Sequence, residues 1–329
     1  MNVLTARELI PLTLEPSYAD LDPGAHHWLA VDLTSHDDLE PSEQGAIARW
    51  LCKQTIPVVG LGRQESILHK AVDVIAANED ELAKLCACIE RNPLASAVLV
   101  QVLRSTEGLD VASALTVESL AYATLQGGTE FGSWLSNREE RVPQTPEDDN
   151  VVLLERAGPR LTITLNSPDN RNALSVPMRD ALTSAFKLVA MDNSIERVDV
   201  HGNGPCFSAG GDLTEFGTLA NPTDAHVIRL TRMPARYLEP CAGRYTFHLH
   251  AACIGAGIEL PAFAGRLVAT SDTIFQLPEV AMGLIPGAGG CVSIPRRIGR
   301  QRTAYMAILG ERSSATDTLA WGLIDAIED

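Results

Sequence analysis

The hydrophobic and polar residues of this sequence follow two repeat patterns, one typical of β-strands and one typical of α-helices. Short apolar runs at 28–33 (WLAVDL) and 56–62 (IPVVGLG) have the composition of β-strands, and so do the alternating segments at 160–168 (RLTITLNSP) and 197–204 (RVDVHGNG). Between the last two segments, the apolar positions of 176–191 recur at helical spacing. Strands and helices therefore alternate along the chain, which predicts an α/β fold with sheets covered by helices.

The first half also contains two long helical patterns. The segment at 78–92 (NEDELAKLCACIERN) has Asn78 as a capping residue and three acidic residues in its first turn, where the helix dipole favours anions. A second helical pattern covers 114–139 and is interrupted near Gly127 and Gly128. These patterns predict a small α/β unit in which nothing marks a catalytic residue.

Composition and charge limit the classes of molecule that this protein is expected to bind. The chain has 329 residues, of which 45% are hydrophobic and 21% are charged, so it can bury a sizeable core. Residues 1–150 hold 10 Lys and Arg against 24 Asp and Glu, a net charge of −14, whereas 151–329 carry only −2. An acidic surface repels phosphate backbones and anionic lipids, so we expect no nucleic-acid or membrane partner. A small anionic ligand can still approach the second half.

A change in composition divides the chain near residue 145. The stretch at 138–150 (REERVPQTPEDDN) has two prolines, seven charges and no periodic apolar face, which is typical of a linker. We therefore predict two units, an N-terminal α/β unit at 1–145 and a second unit at 146–329.

Cysteine usage and the absence of a long apolar run indicate the compartment. No apolar run approaches the roughly 18 residues that cross a bilayer, and charged residues occupy the region where a signal peptide would be apolar. The seven cysteines are an odd number, and the closest pair, Cys86 and Cys88, lacks the spacing of zinc or redox motifs. The histidines also lack metal-binding spacing. We expect a cytoplasmic protein without a metal site.

Three glycine-rich segments follow strand-like runs, at 208–213 (SAGGDL), 254–260 (IGAGIEL) and 283–290 (GLIPGAGG). Glycines at such junctions allow backbone N–H groups to converge on an anion. None of the three segments continues as a phosphate-binding loop, and Leu260 stands where a dinucleotide-binding motif would need glycine. Ser208 lacks the sequence context of an activated nucleophile. Another candidate anion is the oxygen of a thioester as it becomes an enolate, held by N–H groups of two separate loops.

Two glutamates lie beside these segments. Glu259 is placed at the start of a predicted helix, and Glu279 follows a proline just before the third segment. Two interpretations remain open from spacing alone. Each carboxylate could simply stabilise a helix N-terminus, which is worth under about 1 kcal/mol at a surface. Alternatively, burial among apolar neighbours raises both pKa values, and the pair works as an acid and a base.

The order and spacing of three motifs resemble the crotonase superfamily, which is the enoyl-CoA hydratase/isomerase family. The motifs are CFSAGGDL at 206–213, IGAGIEL at 254–260 and FQLPEVAMGLIPGAGG at 275–290. The resemblance runs from about residue 151 to the end of the sequence given. It implies a crotonase-like ββα spiral core at 146–329 with an additional N-terminal α/β unit.

The resemblance also implies roles for individual residues. The N–H groups of Gly211 and Ala256 would form an oxyanion hole, and Glu259 and Glu279 would be catalytic. Ala256 replaces the usual glycine, which a backbone donor tolerates if the local backbone angles suit alanine. The implied substrate-binding residues are Arg171, Ala173, Ala209, Asp212, Leu213, Pro286 and Gly287.

Three departures from the family pattern stand out. Thr214 replaces a lysine that hydratases often carry near the CoA phosphates, and His250 replaces an asparagine, where we expect a packed strand residue rather than a catalyst. The sequence also ends before the helical C-terminal segment of typical members. We therefore hypothesise that helices within 78–136 pack where those closing helices would lie, and that 1–145 is a degenerate crotonase-like unit.

Because both glutamates are present, the sequence favours an enoyl-CoA hydratase that adds water to an α,β-unsaturated acyl-CoA through a stabilised enolate. The alternatives are an enoyl-CoA isomerase, a cofactor-free arylacetyl-CoA dioxygenase and a non-catalytic acyl-CoA-binding subunit. In each case the partner is an acyl-CoA thioester, so CoA is part of the substrate and no cofactor is expected. The family further implies a homo-oligomer, either a trimer or a hexamer.

Overall fold

The computed structural model describes residues 3–14, 26–34, 39–62, 66–139, 150–219 and 221–328. The predicted linker at 138–150 falls almost entirely outside these ranges, and so does the predicted boundary at residue 145. Within the described ranges, no helix combines the length and the apolar composition needed to cross a membrane.

A four-stranded parallel sheet forms from the first part of the chain, with the strands in sequential order. Its strands are β1 (Val3–Thr5), β2 (Leu29–Asp32), β3 (Val58–Leu61) and β4 (Val74–Ala76). The helices between them are α1 (Ala6–Thr13), α2 (Pro41–Leu51) and α3 (Ile67–Ala71). The apolar runs at 28–33 and 56–62 are thus confirmed as strands, and three of the four residues in each are buried because helices or neighbouring elements cover both faces.

Four consecutive helices follow this sheet. They are α4 (Glu79–Arg91), α5 (Pro93–Thr106), α6 (Val111–Gln126) and α7 (Thr129–Asn137). The predicted cap of α4 is confirmed, because the side-chain oxygen of Asn78 accepts a 2.9 Å hydrogen bond from the Glu81 N–H. The predicted interruption is confirmed as well, since α6 ends before Gly127 and α7 begins after Gly128.

The second half forms two further sheets. The six-stranded sheet has the order β13-β10-β8-β7-β6-β5, and the three-stranded sheet has the order β12-β11-β9. The strands are β5 (Val152–Ala157), β6 (Arg160–Leu165), β7 (Arg197–Gly202), β8 (Tyr245–Leu249), β9 (Ala252–Ile254), β10 (Arg266–Ala269), β11 (Ile274–Gln276), β12 (Ser313–Ser314) and β13 (Ala326–Ile327). All pairings are parallel except β5 with β6 and β11 with β12.

Helices cover these sheets, as an α/β fold requires. They are α8 (Val176–Met191), α9 (Pro222–Arg232), α10 (Ala235–Leu238), α11 (Ala256–Glu259), α12 (Gly290–Leu309) and α13 (Ala315–Trp321). The helix predicted at 176–191 is confirmed with the same bounds.

One apolar core connects the two halves of the chain. Its buried side chains include Leu85 of α4, Leu99 of α5 and Leu115 of α6 together with Phe186 of α8 and Val292 of α12. A smaller core, centred on α1, α2 and one face of the first sheet, remains separate. The helices of the first half therefore pack directly on the second half, and α12 contacts α4, α5 and α6.

A buried ion cluster also ties the first sheet to α12. Asp73 is only 2% exposed, and its carboxylate accepts hydrogen bonds from the Val58 N–H at 2.8 Å, the Arg104 Nε at 2.7 Å and Arg300 of α12 at 3.3 Å. We expect Asp73→Ala to lower the free energy of unfolding by about 3–5 kcal/mol, because it removes the buried carboxylate that Arg104 and Arg300 share and leaves Arg300 with the exposed Glu107. Chemical denaturation measures this change.

The control is Glu328→Ala, which removes the partner of Arg266 from an ion pair whose side chains are both more than half exposed. We expect that variant to cost under about 1 kcal/mol. A similar small loss for Asp73→Ala would show that the cluster does not hold the two parts together.

Candidate active site

The first two glycine-rich segments lie against each other. Ser208 donates its N–H to the Ala252 carbonyl at 3.1 Å and accepts a hydrogen bond from the Ile254 N–H at 3.1 Å, so residues after β7 run beside β9. Gly210 has a φ of 91°, and a Cβ there would lie 2.7 Å from the Ile254 carbonyl oxygen. Only glycine allows both this backbone angle and this close approach.

The two candidate oxyanion donors flank this contact. Gly211 follows Gly210, and Ala256 is the first residue of α11, directly after Gly255. Within the described ranges, neither N–H donates a hydrogen bond to a protein acceptor. Ala256 does not have a positive φ, whereas Gly255 does, so the backbone suits alanine at this position. The role of these two N–H groups in binding an oxyanion stays a prediction.

Glu259 is the last residue of the four-residue helix α11 and lies in its first turn, so its placement at the start of a helix is confirmed to within one turn. The helix begins at Ala256 because Gly255, with φ 48° and ψ −120°, turns the chain directly into it. The Glu259 side chain is buried, and its Oε2 accepts hydrogen bonds from the Ala288 N–H at 2.7 Å and the Gly290 N–H at 2.9 Å. The second and third glycine-rich segments are thereby linked.

The Glu279 side chain also reaches Gly255, from a different element. It is the first residue of a short 3-10 helix (Glu279–Met282) after Pro278. A Cβ on Gly255 would collide with Glu279 Oε1 and would lie 3.7 Å from Glu259 Oε1, so both carboxyl groups converge on Gly255. Glu279 Oε2 is buried and has no hydrogen-bond partner among the described residues. A buried polar atom without a partner is rare and is a mark of functional sites.

The environments of the two carboxyl groups separate their pKa values. Burial raises the pKa of Glu259 to about 7, and the hydrogen bonds from Ala288 and Gly290 limit the rise. Burial raises the pKa of Glu279 well above its ordinary value, and the nearby Glu259 raises it further. A pair of carboxyl groups with separated pKa values can supply one base and one acid at neutral pH.

A third buried carboxylate, which the sequence did not reveal, comes from the first half of the chain. Glu118 of α6 is 1% exposed, and it accepts hydrogen bonds from the Gly289 N–H at 2.8 Å and the Cys291 N–H at 2.9 Å. The expectation that nothing in the first unit marks the site is therefore wrong. The available signal was Glu118 standing at helical spacing between the buried Leu115 and Leu125.

Tyr122 lies one turn after Glu118 on the same face of α6. A Cβ on Gly287 would collide with its ring, and the Arg229 guanidinium lies 4.2 Å from the ring centroid on the other side. Arg229 also donates a 2.8 Å hydrogen bond to Gln126 Oε1. Helix α6 and α9 thus form one wall beside the third glycine-rich segment.

The predicted substrate-binding residues fall into two groups. Five of them lie on two adjacent stretches, because the Ala209 N–H donates to the Arg171 carbonyl at 3.0 Å and the Asp212 N–H approaches the Leu174 carbonyl at 3.5 Å. These five are Arg171, Ala173, Ala209, Asp212 and Leu213. The other two, Pro286 and Gly287, belong to the third glycine-rich segment beside Glu259 and Tyr122. Their contacts with substrate stay predictions.

Asn172 is a further residue that sequence reasoning missed. It is 1% exposed and has a φ of 51°. Its side-chain amide donates to the Asn203, Cys206 and Phe207 carbonyls and accepts a 2.9 Å hydrogen bond from the Ser167 N–H. Asn172 therefore holds the two stretches in register.

The remaining polar candidates have structural partners. Ser208 Oγ donates to the Asn172 carbonyl at 2.8 Å and accepts from the Gly210 N–H at 3.2 Å, so it shapes the loop. His250 follows the last residue of β8, so its assignment to the strand is wrong by one position, and its Nε2 lies 3.2 Å from the Gly204 carbonyl oxygen. The Thr214 hydroxyl donates to Asp212 Oδ1 at 2.7 Å.

The raised pKa of Glu259 predicts a pH-dependent stability. Its pKa is about 7 in the folded protein against an ordinary value of 4.5, so the folded state holds more protons between these values. The free energy of unfolding contributed by this group is therefore highest below the ordinary pKa and falls as pH rises towards the folded pKa. We expect Glu259→Gln to show a shallower decline in stability across this window than the wild type, measured by denaturant unfolding at several pH values. Equal slopes would contradict this expectation.

Comparisons with known proteins place the second half in one family. The model of the enoyl-CoA hydratase/isomerase family matches residues 160–328. The 2,3-dehydroadipyl-CoA hydratase of Escherichia coli (strain K12) is 30% identical over 179 residues, which cover 54% of this chain and 68% of that protein. The Delta(3,5)-Delta(2,4)-dienoyl-CoA isomerase of Mus musculus mitochondria is 26% identical over 203 residues, which cover 57% of this chain and 62% of that protein.

A solved structure supports the same assignment. The crystal structure of enoyl-CoA hydratase from Thermoplasma volcanium GSS1 matches with a TM-score of 0.51 and 30% identity over 54% of this chain and 72% of the other. The curated relatives are matched over about two thirds of their own lengths, between 62 and 69% for several of them. The resemblance of the three motifs and the predicted crotonase-like α/β fold are both confirmed. The chain belongs to the enoyl-CoA hydratase/isomerase family, whose members are enzymes.

Proposed function

We propose that this protein is an enoyl-CoA hydratase, which adds water across the α,β double bond of an acyl-CoA thioester. The observation that carries the proposal is the convergence of two buried carboxyl groups, Glu259 and Glu279, on Gly255. Gly255 directly precedes Ala256, one of the two candidate oxyanion donors. A site of this form places an acid, a base and two N–H donors around one small volume.

The two carboxyl groups take different roles. Glu259 is the better base, because two backbone N–H groups stabilise its carboxylate and its pKa is about 7. Glu279 is the better acid, because burial and the neighbouring charge favour its protonated form. We assign to Glu259 the removal of a proton from water and to Glu279 the delivery of a proton to the α carbon.

The reaction then balances without another reactant. The water oxygen bonds to the β carbon as Glu259 takes one proton, and the electrons of the double bond move onto the thioester oxygen. The N–H groups of Gly211 and Ala256 stabilise this enolate oxygen, and such a donor typically contributes about 3 kcal/mol. Proton transfer from Glu279 to the α carbon completes the 3-hydroxyacyl-CoA, and the two glutamates exchange protonation states before the next turnover.

A cavity next to the substrate-binding stretch suggests the path of the CoA arm. It has a volume of about 180 Å³ and is lined by Trp134, Arg138, Glu139, Leu213 and Thr214. Arg138 donates a 2.6 Å hydrogen bond to the Leu213 carbonyl, and its guanidinium lies 5.6 Å from the Trp134 ring centroid. The Arg138 guanidinium, directly after the last residue of α7, therefore supplies a positive charge beside Thr214, the position where hydratases often carry a lysine.

We further propose that helices α5 to α7 close the acyl site. Three contacts support this part of the proposal. Tyr122 packs on Gly287, and the Phe131 N lies 2.5 Å from where a Cβ on Gly283 would be. Glu130 of α7 accepts hydrogen bonds from backbone N–H groups at the start of α5, which fixes the two helices together.

The test is an assay of the purified protein with crotonyl-CoA. Hydration removes the absorbance of the conjugated enoyl thioester and adds the mass of one water to the product. Both signals should depend on Glu259. Glu259→Gln provides the site-directed comparison, because it keeps the side-chain size while removing the base. No hydration of crotonyl-CoA or of longer 2-enoyl-CoA esters would overturn the proposal.

The same assay separates the alternatives. An isomerase would convert 3-enoyl-CoA to 2-enoyl-CoA without a change of mass, and an arylacetyl-CoA dioxygenase would consume oxygen. A non-catalytic subunit would bind CoA esters without turnover, and Glu259→Gln would leave that binding unchanged. We also propose a homo-oligomer, a trimer or a hexamer, which light scattering measures directly.

A further inference from the structure

The third glycine-rich segment holds two protein carboxylates through four successive backbone N–H groups. The N–H groups of Ala288 and Gly290 donate to Glu259, and those of Gly289 and Cys291 donate to Glu118, at 2.7 to 2.9 Å. The donors alternate, so each carboxylate occupies one side of the turn that begins α12. The anion at this segment is therefore supplied by the chain itself, from two elements far apart in sequence.

The start of a helix explains why two buried carboxylates can lie so close together. Helix α12 begins at Gly290 and is kinked at Gly299, and the positive end of the dipole of its first segment points at both groups. The N–H groups of residues 289, 290 and 291 are among those that have no partner within the helix, and Ala288 directly precedes the N-cap Gly289. Both oxygens of Glu118 accept hydrogen bonds, an arrangement that suits the ionised form, which has no proton to place between donors.

Burial raises the pKa of Glu118 well above its ordinary value, and the nearby Glu259 raises it further. The N–H groups of Gly289 and Cys291 and the Arg229 guanidinium of α9 act in the opposite direction. Tyr122, Glu279 and the Cys291 thiol also interact with Glu118. Glu118 and Glu259 therefore share one electrostatic environment, and a change at either alters the other.

We propose that Glu118 is a positioning residue for Glu259. By holding the N–H groups of residues 289 and 291, it turns those of 288 and 290 towards Glu259 Oε2, which leaves Glu259 Oε1 directed at Gly255 and the reacting water. Because the charge of Glu259 raises the pKa of Glu118, an ionised Glu118 in turn opposes ionisation of Glu259. The predicted changes in rate rest on the proposed function, whereas the structural role of Glu118 does not.

The test compares Glu118→Gln with Glu118→Ala in the full-length protein. Gln keeps the size but cannot ionise, and its NH2 group replaces one of the two acceptor oxygens, so the acidic limb of the kcat/KM profile against pH should shift to lower pH. Ala removes both acceptors, so we expect kcat to fall about 10²-fold while KM changes much less, since a small displacement of a reacting group has an effect of that size. A residue that only stabilised the fold would not shift the pH profile.

Hydrogen exchange gives a readout that does not require activity. In Glu118→Ala the N–H groups of residues 288–291 should exchange faster than in the wild type, while those of the distant α8 should not change. The carboxyl pKa of Glu259, followed by carbon-detected NMR, should fall in Glu118→Gln. These two measurements decide the inference even if the wild type hydrates no CoA ester, and Glu118→Gln keeps it testable if Glu118→Ala does not fold.

The matched control is Glu196→Gln, which makes the same change at an exposed position of the second half. It should leave the pH profile, the exchange rates and kcat as in the wild type. An unchanged pH profile and an unchanged Glu259 pKa in Glu118→Gln, together with wild-type exchange at 288–291 in Glu118→Ala, would overturn the inference.

Discussion

Replacing Glu279 by Gln is expected to lower kcat for crotonyl-CoA hydration by about 10²- to 10⁴-fold, the usual contribution of a general acid or base. The physical reason is specific to this position. Glu279 Oε2 is buried with no hydrogen-bond partner among the described residues, and burial raises the pKa of the group well above its ordinary value, which favours the protonated form. Gln has the same shape but no transferable proton, so protonation of the α carbon loses its donor.

Three measurements make the result interpretable. The affinity for a saturated acyl-CoA should stay within a few-fold of wild type, because Gln preserves the volume of the side chain. The unfolding midpoint should stay close to that of the wild type, because Gln keeps the side-chain volume and adds no charge at this buried position. Glu196→Gln serves again as the exposed comparison. Wild-type kcat in Glu279→Gln would show that Glu259 carries both proton transfers alone.

The local elements of this protein were predictable because their determinants lie close together in sequence. The cap at Asn78, the interruption at Gly127 and Gly128 and the bounds of α8 each depend on a few adjacent residues. The positions of Gly211 and Ala256 on two adjoining glycine-rich segments are visible in the sequence in the same way, and their role as oxyanion donors stays a prediction. Hydrophobic period, capping and turn chemistry are short-range rules, so one sequence suffices to apply them.

The parts that could not be predicted depend on contacts between distant segments. Glu118 lies 171 residues from the Gly289 N–H that it binds, and nothing in its neighbourhood distinguishes it from a solvent-facing acid except its apolar neighbours. Asn172 reads as a turn residue, yet it binds three carbonyl groups from 31 to 35 positions away. Such partners are set by topology, which the residue pattern alone leaves open.

The sharing of the α12 N-terminus explains why the first half matters for chemistry proposed in the second half. Helix α6 is held by the common apolar core and by Glu118, so a change in its position would reach Glu259 through the N–H groups of residues 288–291. The first half of the chain, in which the sequence marks no catalytic residue, therefore contributes to the electrostatic environment of the candidate site. This coupling requires no ligand contact from α6 itself.

Replacing Ala256 by Pro is the second large effect that we expect, a fall in kcat of about 10²- to 10³-fold, which is the range for loss of one oxyanion donor. At this position the substitution can remove the N–H group without breaking the helix. Ala256 is the first residue of α11, where proline fits the helix and where the N–H has no partner within the helix. The variant therefore deletes one N–H group and leaves the helical hydrogen bonds in place.

The comparison variant is Ala256→Gly, which keeps the N–H and removes only the side-chain methyl group. It should retain kcat within a few-fold, so the difference between Pro and Gly isolates the donor from the side chain. Both variants should bind a saturated acyl-CoA with similar affinity, because its thioester oxygen carries no full charge and the donor acts mainly on the enolate. If Ala256→Pro hydrates crotonyl-CoA as fast as Ala256→Gly, the N–H of residue 256 does not stabilise the enolate, and the negative charge must be held by Gly211 and other groups.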